Sequence, residues 1–149
     1  MKSIFNKTDQ NEIIERISTL DKNSKPAWGK MSVEQMVNHC VLCEAYYLGK
    51  VAVKRAFLGR IIGKMALKGI LKPGNTMLQK NAPTAPDFLV AGPVNDLESQ
   101  KRAWKALIEG YGNYPSENFT HWFFGKMTKE QLGQFVYIHC NHHLTQFNS

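Results

Sequence analysis

The chain has 149 residues, 43% of them hydrophobic, and a formal net charge of +7. That length suits one domain spanning residues 1–149, with room for a sizeable core. No apolar run approaches the ~20 residues of a membrane span, the opening MKSIFNKTDQNEII lacks a signal-peptide core, and three cysteines argue against a disulfide framework, so the chain reads as cytoplasmic.

The charge is localised. Lys50, Lys54, Arg55, Arg60, Lys64, Lys68 and Lys72 lie in one segment, 50–72, that contains no acid. Without those seven, the chain carries 12 charges of each sign. A basic amphipathic segment can meet an anionic membrane, nucleic acid or a protein partner, or attract an anionic substrate. It can equally be a solvated face whose lysines lie over apolar neighbours. No aromatic interleaving and no helix-turn-helix pattern accompany it, so the nucleic-acid signal is weak.

In chain order, Ile13, Ile14, Ile17 and Leu20 recur with the rhythm of a one-sided helix over about Asp9–Leu20, with Thr8 as its N-cap. A second helix is predicted from Ser32 to about Leu48. Ser32 with Gln35 forms a capping box at its start and Gly49 stops it. A third helical segment, weakened by Gly59, Gly63 and Gly69, covers Val53–Leu71. Residues 72–94 are rich in Pro and Gly and form the long connection expected of a lid, binding loop or strap. Asn95 opens a fourth helix, with Glu98 completing its box. After the connection SENFTHWFFGKM, a final helix runs from Thr128, boxed by Gln131, to Phe147. The starts of the second and last helices, Gly29–Met36 and Gly125–Leu132, echo each other, as two similar helix beginnings do. No alternating strand pattern is evident. The expectation is therefore an all-α protein, a four-helix bundle with one additional short or broken helix.

The last helix carries His139 and His143 four residues apart, which places both imidazoles on one face. Two such rings can hold one metal ion, and His39, on the inward stripe of the second helix, is the candidate third ligand. Neutral imidazole suits zinc, nickel or iron. Three protein ligands leave a position open for chemistry, whereas four close the site. Cys43 lies one turn after His39 and could be a fourth ligand, or simply a small buried hydrophobe. The histidines themselves could be hydrogen-bonded core residues. Cys40-x-x-Cys43 sits in mid-helix, away from the helix N-terminus that stabilises a thiolate. His142 is expected to face away from the pair, and His121 to hold the corner before the last helix. Asn38, Glu44, Asn141 and Gln146 are possible partners for the ring nitrogens.

Trp28-Gly29-Lys30-Met31-Ser32 leading into His39, with His121–Thr128 and His139–Phe147, resembles the DinB/YfiT superfamily, and more narrowly its DUF1569 branch. The resemblance implies a DinB-like four-helix bundle and a three-histidine site at His39, His139 and His143, loaded with a divalent metal, zinc or nickel foremost. It also implies a small-molecule thiol or other small substrate, and thiol S-transfer or a related metal-dependent activity. Small bundles of this kind often pair, so a homodimer is one expected assembly. The alternative is a non-catalytic binding module working through segment 50–72.

Overall fold

A computed structural model describes residues 1–92 and 96–149. Its regular structure comprises five α-helices and one β-hairpin, α1 (Lys7–Thr19), α2 (Val33–Tyr47), α3 (Phe57–Ile70), α4 (Leu97–Gly110), β1 (Asn118–His121), β2 (Gly125–Thr128) and α5 (Lys129–Gln146), with short 3₁₀ turns at Pro86–Phe88 and Tyr111–Asn113. The chain is thus largely helical but not all-α, and the expected four-helix bundle with a broken extra helix gives way to five continuous helices and a two-stranded antiparallel sheet.

The hairpin lies in the stretch expected to be a short connection, SENFTHWFFGKM. It pairs Asn118 with Thr128 and His121 with Gly125. Each strand is four residues long, too short for alternation to register as a signal. The most conspicuous apolar residues, Trp122, Phe123 and Phe124, occupy the turn. Gly125 closes it at φ 78°, a left-handed conformation that costs glycine nothing.

Both capping boxes expected of α2 and α5 are formed: Ser32 with Gln35, and Thr128 with Gln131. Each serine or threonine hydroxyl accepts from the third backbone N–H, and each glutamine answers at the cap's own N–H, so two orphan donors are satisfied at once. α1 starts two residues earlier than expected because the Asn6 side chain, not Thr8, accepts from the first-turn N–H groups. At α4 the Asp96 carboxylate accepts from Ser99 N. The cap expected at Asn95 lies outside the described residues.

α4 packs between α1 and α2, α1 also packs on α5, and the hairpin lies against α5. The buried apolar residues form one contiguous cluster, with Ile13, Ile17, Met36, Trp104, Ile108 and Leu144 at its centre. Arg16 ties α1 to the end of α5. It donates to Asn141 Oδ1 at 2.6 Å and to the Ser149 carbonyl at 2.7 Å. No helix among the described residues is long and apolar enough to cross a membrane.

α3 is seated differently. Gly59 and Gly63 press on the hairpin turn, where a Cβ on either would stand 2.4 or 2.2 Å from the Phe123 carbonyl oxygen. Two glycines one turn apart therefore allow a contact that no other residue permits. Ala56 N donates to the Trp122 carbonyl at 3.0 Å and fixes the entry to this helix.

Candidate metal centre

α2 and α5 face each other across a cluster of imidazole rings. The ring centres of His39 and His139 are 5.5 Å apart, those of His39 and His143 4.9 Å, and those of His139 and His143 4.8 Å. All three residues are buried. The donor atoms of His39, Cys43 and His139 all lie within 4.8 Å of one another, so these residues could hold a metal ion. His143 adjoins that group through its ring contacts with both histidines.

Two rings have their tautomers set by neighbours. His39 Nδ1 lies 2.9 Å from the Phe88 carbonyl oxygen. A carbonyl can only accept, so Nδ1 carries the proton and Nε2 keeps its lone pair. His143 Nδ1 lies 3.0 Å from Gln146 Oε1, and that amide is oriented by its own NH₂ donating to the Trp28 carbonyl at 2.8 Å. His143 is therefore also protonated at Nδ1, with Nε2 available. A ring nitrogen held in this way is how proteins aim an imidazole at a metal. His139 differs: its Nδ1 is buried and has no hydrogen-bond partner among the described residues.

Burial lowers the pKa of all three rings. For His39 the Phe88 carbonyl partly counters it, and His139 and His143 are pushed well below the usual value, with neighbouring imidazoles adding to the effect. The rings are thus neutral, the form that ligates. Burial drives the Cys43 thiol far up, with the Glu44 charge adding to it, so without a cation beside it Cys43 is a neutral thiol. Its Sγ lies 3.6 Å from His39 Nε2. Two donors at ~2.05 and ~2.3 Å from one tetrahedral zinc would lie about 3.6 Å apart, so the spacing suits a shared ion.

A second donor group, Glu44, His139 and Cys140, also converges within 4.8 Å. Two of its members, Glu44 and Cys140, are already engaged. Tyr111 donates its hydroxyl to Glu44 Oε2, and Cys140 Sγ donates to Oε1 at 3.2 Å. Burial raises the Glu44 carboxyl to about 7, against the pull of those two bonds. Neither Glu44 nor Cys140 borders the cavity described next, which leaves the His39–Cys43–His139 group as the accessible one.

That group opens onto a cavity of about 1120 Å³. Its walls are mainly apolar, among them Met31, Leu58, Ile62, Ile70, Met77 and Phe88, and no acid lines it among the described residues. The long connection forms much of the wall and delivers the Phe88 carbonyl to His39. A model of the family described as "Protein of unknown function (DUF1569)" matches residues 2–149. The chain belongs to the DUF1569 family. Neither a curated protein nor a solved structure gives a match.

Other expected roles in this DUF1569 chain fall out differently. His142 does not face away: it is buried, lines the cavity, and its ring centre lies 5.1 Å from that of His143. His121 holds the corner, its Nδ1 accepting from Phe123 N at 3.1 Å and Phe124 N at 3.2 Å. Burial, aided by Arg55, holds its pKa down to about 3. Gln146 meets His143, but Asn141 serves Arg16 and the Thr76 carbonyl. Asn38 makes no side-chain hydrogen bond among the described residues. Glu44 serves no ring nitrogen but joins Tyr111 and Cys140, one turn beyond Cys40 on the inward side of α2. The Phe88 carbonyl had no sequence signal, because any residue carries one.

Proposed function

We propose that this protein holds a divalent metal ion, zinc or nickel, between α2 and α5, and acts through it on a small molecule bound in the cavity. The donors are His39, His139 and His143, with Cys43 as a fourth that an incoming substrate displaces, since four fixed donors would close the site. The observation that carries the reading is the convergence of three buried donor atoms, on His39, Cys43 and His139, within 4.8 Å beside that cavity. The unpartnered His139 Nδ1 and the two preset Nε2 lone pairs support it. One contiguous core supports treating residues 1–149 as a single domain.

A bound divalent ion would lower the pKa of a coordinated thiol or water and stabilise the resulting anion. The chain's own part is positional. Phe88 and Gln146 hold the rings, and the apolar walls receive the hydrophobic body of a substrate and keep water from the donors. The resemblance to DinB/YfiT proteins favours a small thiol as one substrate and thiol S-transfer as the reaction. Elemental analysis of purified protein tests the centre. Zinc or nickel is expected near stoichiometric amounts and is lost in His139→Ala. Protein that neither carries nor takes up these ions, or that takes them up equally well without His139, overturns the reading.

A further inference from the structure

The cationic segment and the outward face of α3 make a second feature, independent of the metal centre. Gly59, Gly63 and Leu67 are the buried residues of this helix. Phe57, Leu58, Ile61 and Met65 fall within an arc of ~100° on the other side and are between 56% and 77% exposed. The usual disposition is reversed: a glycine face is seated and the most apolar arc is turned to solvent. Leu89, 64% exposed, borders the same cavity as Leu58. Arg60, Lys64 and Lys68 run along one edge of this arc, Lys68 within it, and are exposed. The Lys64 ammonium donates to the Lys126 carbonyl. No acid occurs from Lys50 to Pro86, so the segment holds no charge of opposite sign to neutralise this row.

We propose that α3 docks on an anionic lipid surface, its apolar arc entering the acyl boundary and its bases meeting the phosphates. The occupant follows from the pairing of the apolar arc with the basic row. A second copy of the chain could bury the apolar arc, but it would bring two rows of bases together with no acid between them. A nucleic acid could neutralise the bases, but it would leave three aliphatic side chains and one phenyl ring in water. A charged bilayer satisfies both at once, and the arrangement is that of an interfacial helix rather than a spanning one. Seating by glycines on the hairpin turn keeps the helix formed and its arc outward before it meets the lipid.

The test is co-sedimentation of the full chain with phosphatidylglycerol–phosphatidylcholine vesicles, against phosphatidylcholine alone, across a salt series. Expected are binding to the anionic vesicles only, weakening with salt, and a loss of about tenfold or more in Ile61→Glu/Met65→Glu. Lys68→Glu is expected to lose affinity too. These positions are exposed, and circular dichroism reports whether each variant remains folded. Absence of binding to anionic vesicles overturns the proposal, as does binding that both variants retain. It is overturned as well if the wild-type chain self-associates through this face and the same glutamates abolish that association without affecting sedimentation.

Discussion

Replacing Gln146 with leucine tests the metal centre without removing a donor atom. Gln146 is 3% exposed; its Oε1 accepts from His143 Nδ1 at 3.0 Å and its Nε2 donates to the Trp28 carbonyl at 2.8 Å. Leucine nearly fills the space and can do neither. The His143 ring then loses the partner that fixes its tautomer, and loss of such support typically lowers metal affinity ~10–100-fold, about 1.4–2.8 kcal/mol. The buried His143 Nδ1 is also orphaned at ~1–3 kcal/mol and the part-buried Trp28 carbonyl loses its donor at a smaller cost, so folding stability should fall by about 1–4 kcal/mol. Competition with a chromophoric zinc chelator measures the first effect, at a temperature where circular dichroism shows the variant folded; urea denaturation of the metal-free protein measures the second. Gln146→Glu separates them, because it keeps an acceptor for His143 and loses the donor to Trp28. It should hold zinc nearly as well as the wild type while still losing stability. Zinc affinity within about twofold of wild type in folded Gln146→Leu would refute the role given to His143 and its support.

Three further outcomes are expected. Cobalt-loaded protein should show a thiolate-to-metal charge-transfer band that Cys43→Ser abolishes; an unchanged spectrum would remove Cys43 from the ligand set and leave an open three-histidine site. Glu44, raised by burial to about 7 from 4.5, binds its proton more tightly folded than unfolded. Its stabilising contribution is full below pH 4.5 and is lost as pH rises through about 7, a swing of about 3 kcal/mol. In the metal-free protein, urea midpoints at about pH 5 and about pH 8 should therefore differ more in wild type than in Glu44→Gln, and equal differences would show that Glu44 is not the source. Gly63→Ala should destabilise by about 1–3 kcal/mol, since its Cβ would stand 2.2 Å from the Phe123 carbonyl oxygen. Gly69→Ala, with nothing within 4 Å, should gain up to about 1 kcal/mol of helix propensity. Thermal melts that ranked these two alanines in the opposite order would contradict the seating of α3.

The sequence was most legible where a local signal and a tertiary need coincide. Ser32 and Thr128 announced their helices because a capping box satisfies backbone donors whatever lies beyond it. Asn6 and Thr8 are both cap-forming types two residues apart, so residue type alone does not mark where α1 begins. The hairpin was hidden because four-residue strands offer too few alternations and its aromatic residues crowd the turn. The i, i+4 spacing of His139 and His143 could be read directly, since a helix fixes their common face. What could not be read is how their nitrogens are held. The Phe88 carbonyl comes from the far end of an irregular connection, and carbonyl positions depend on backbone path rather than residue identity. The ~100° offset of His142 points it away from the pair, but that side of α5 borders the cavity as well.

The two capping boxes act as datum marks from which the donors are measured. His39 stands two turns beyond Ser32, and His139 and His143 stand three and four turns beyond Thr128. Deleting one residue between Thr128 and His139 would swing both imidazoles together by ~100° and shift them ~1.5 Å along the axis, carrying them out of reach of His39 while leaving the helix itself intact. Length changes inside these two intervals should therefore abolish metal uptake, at a cost to the core that the same helices fill. Equal changes near Gly74, an exposed residue at the outset of the connection, should leave it unaltered.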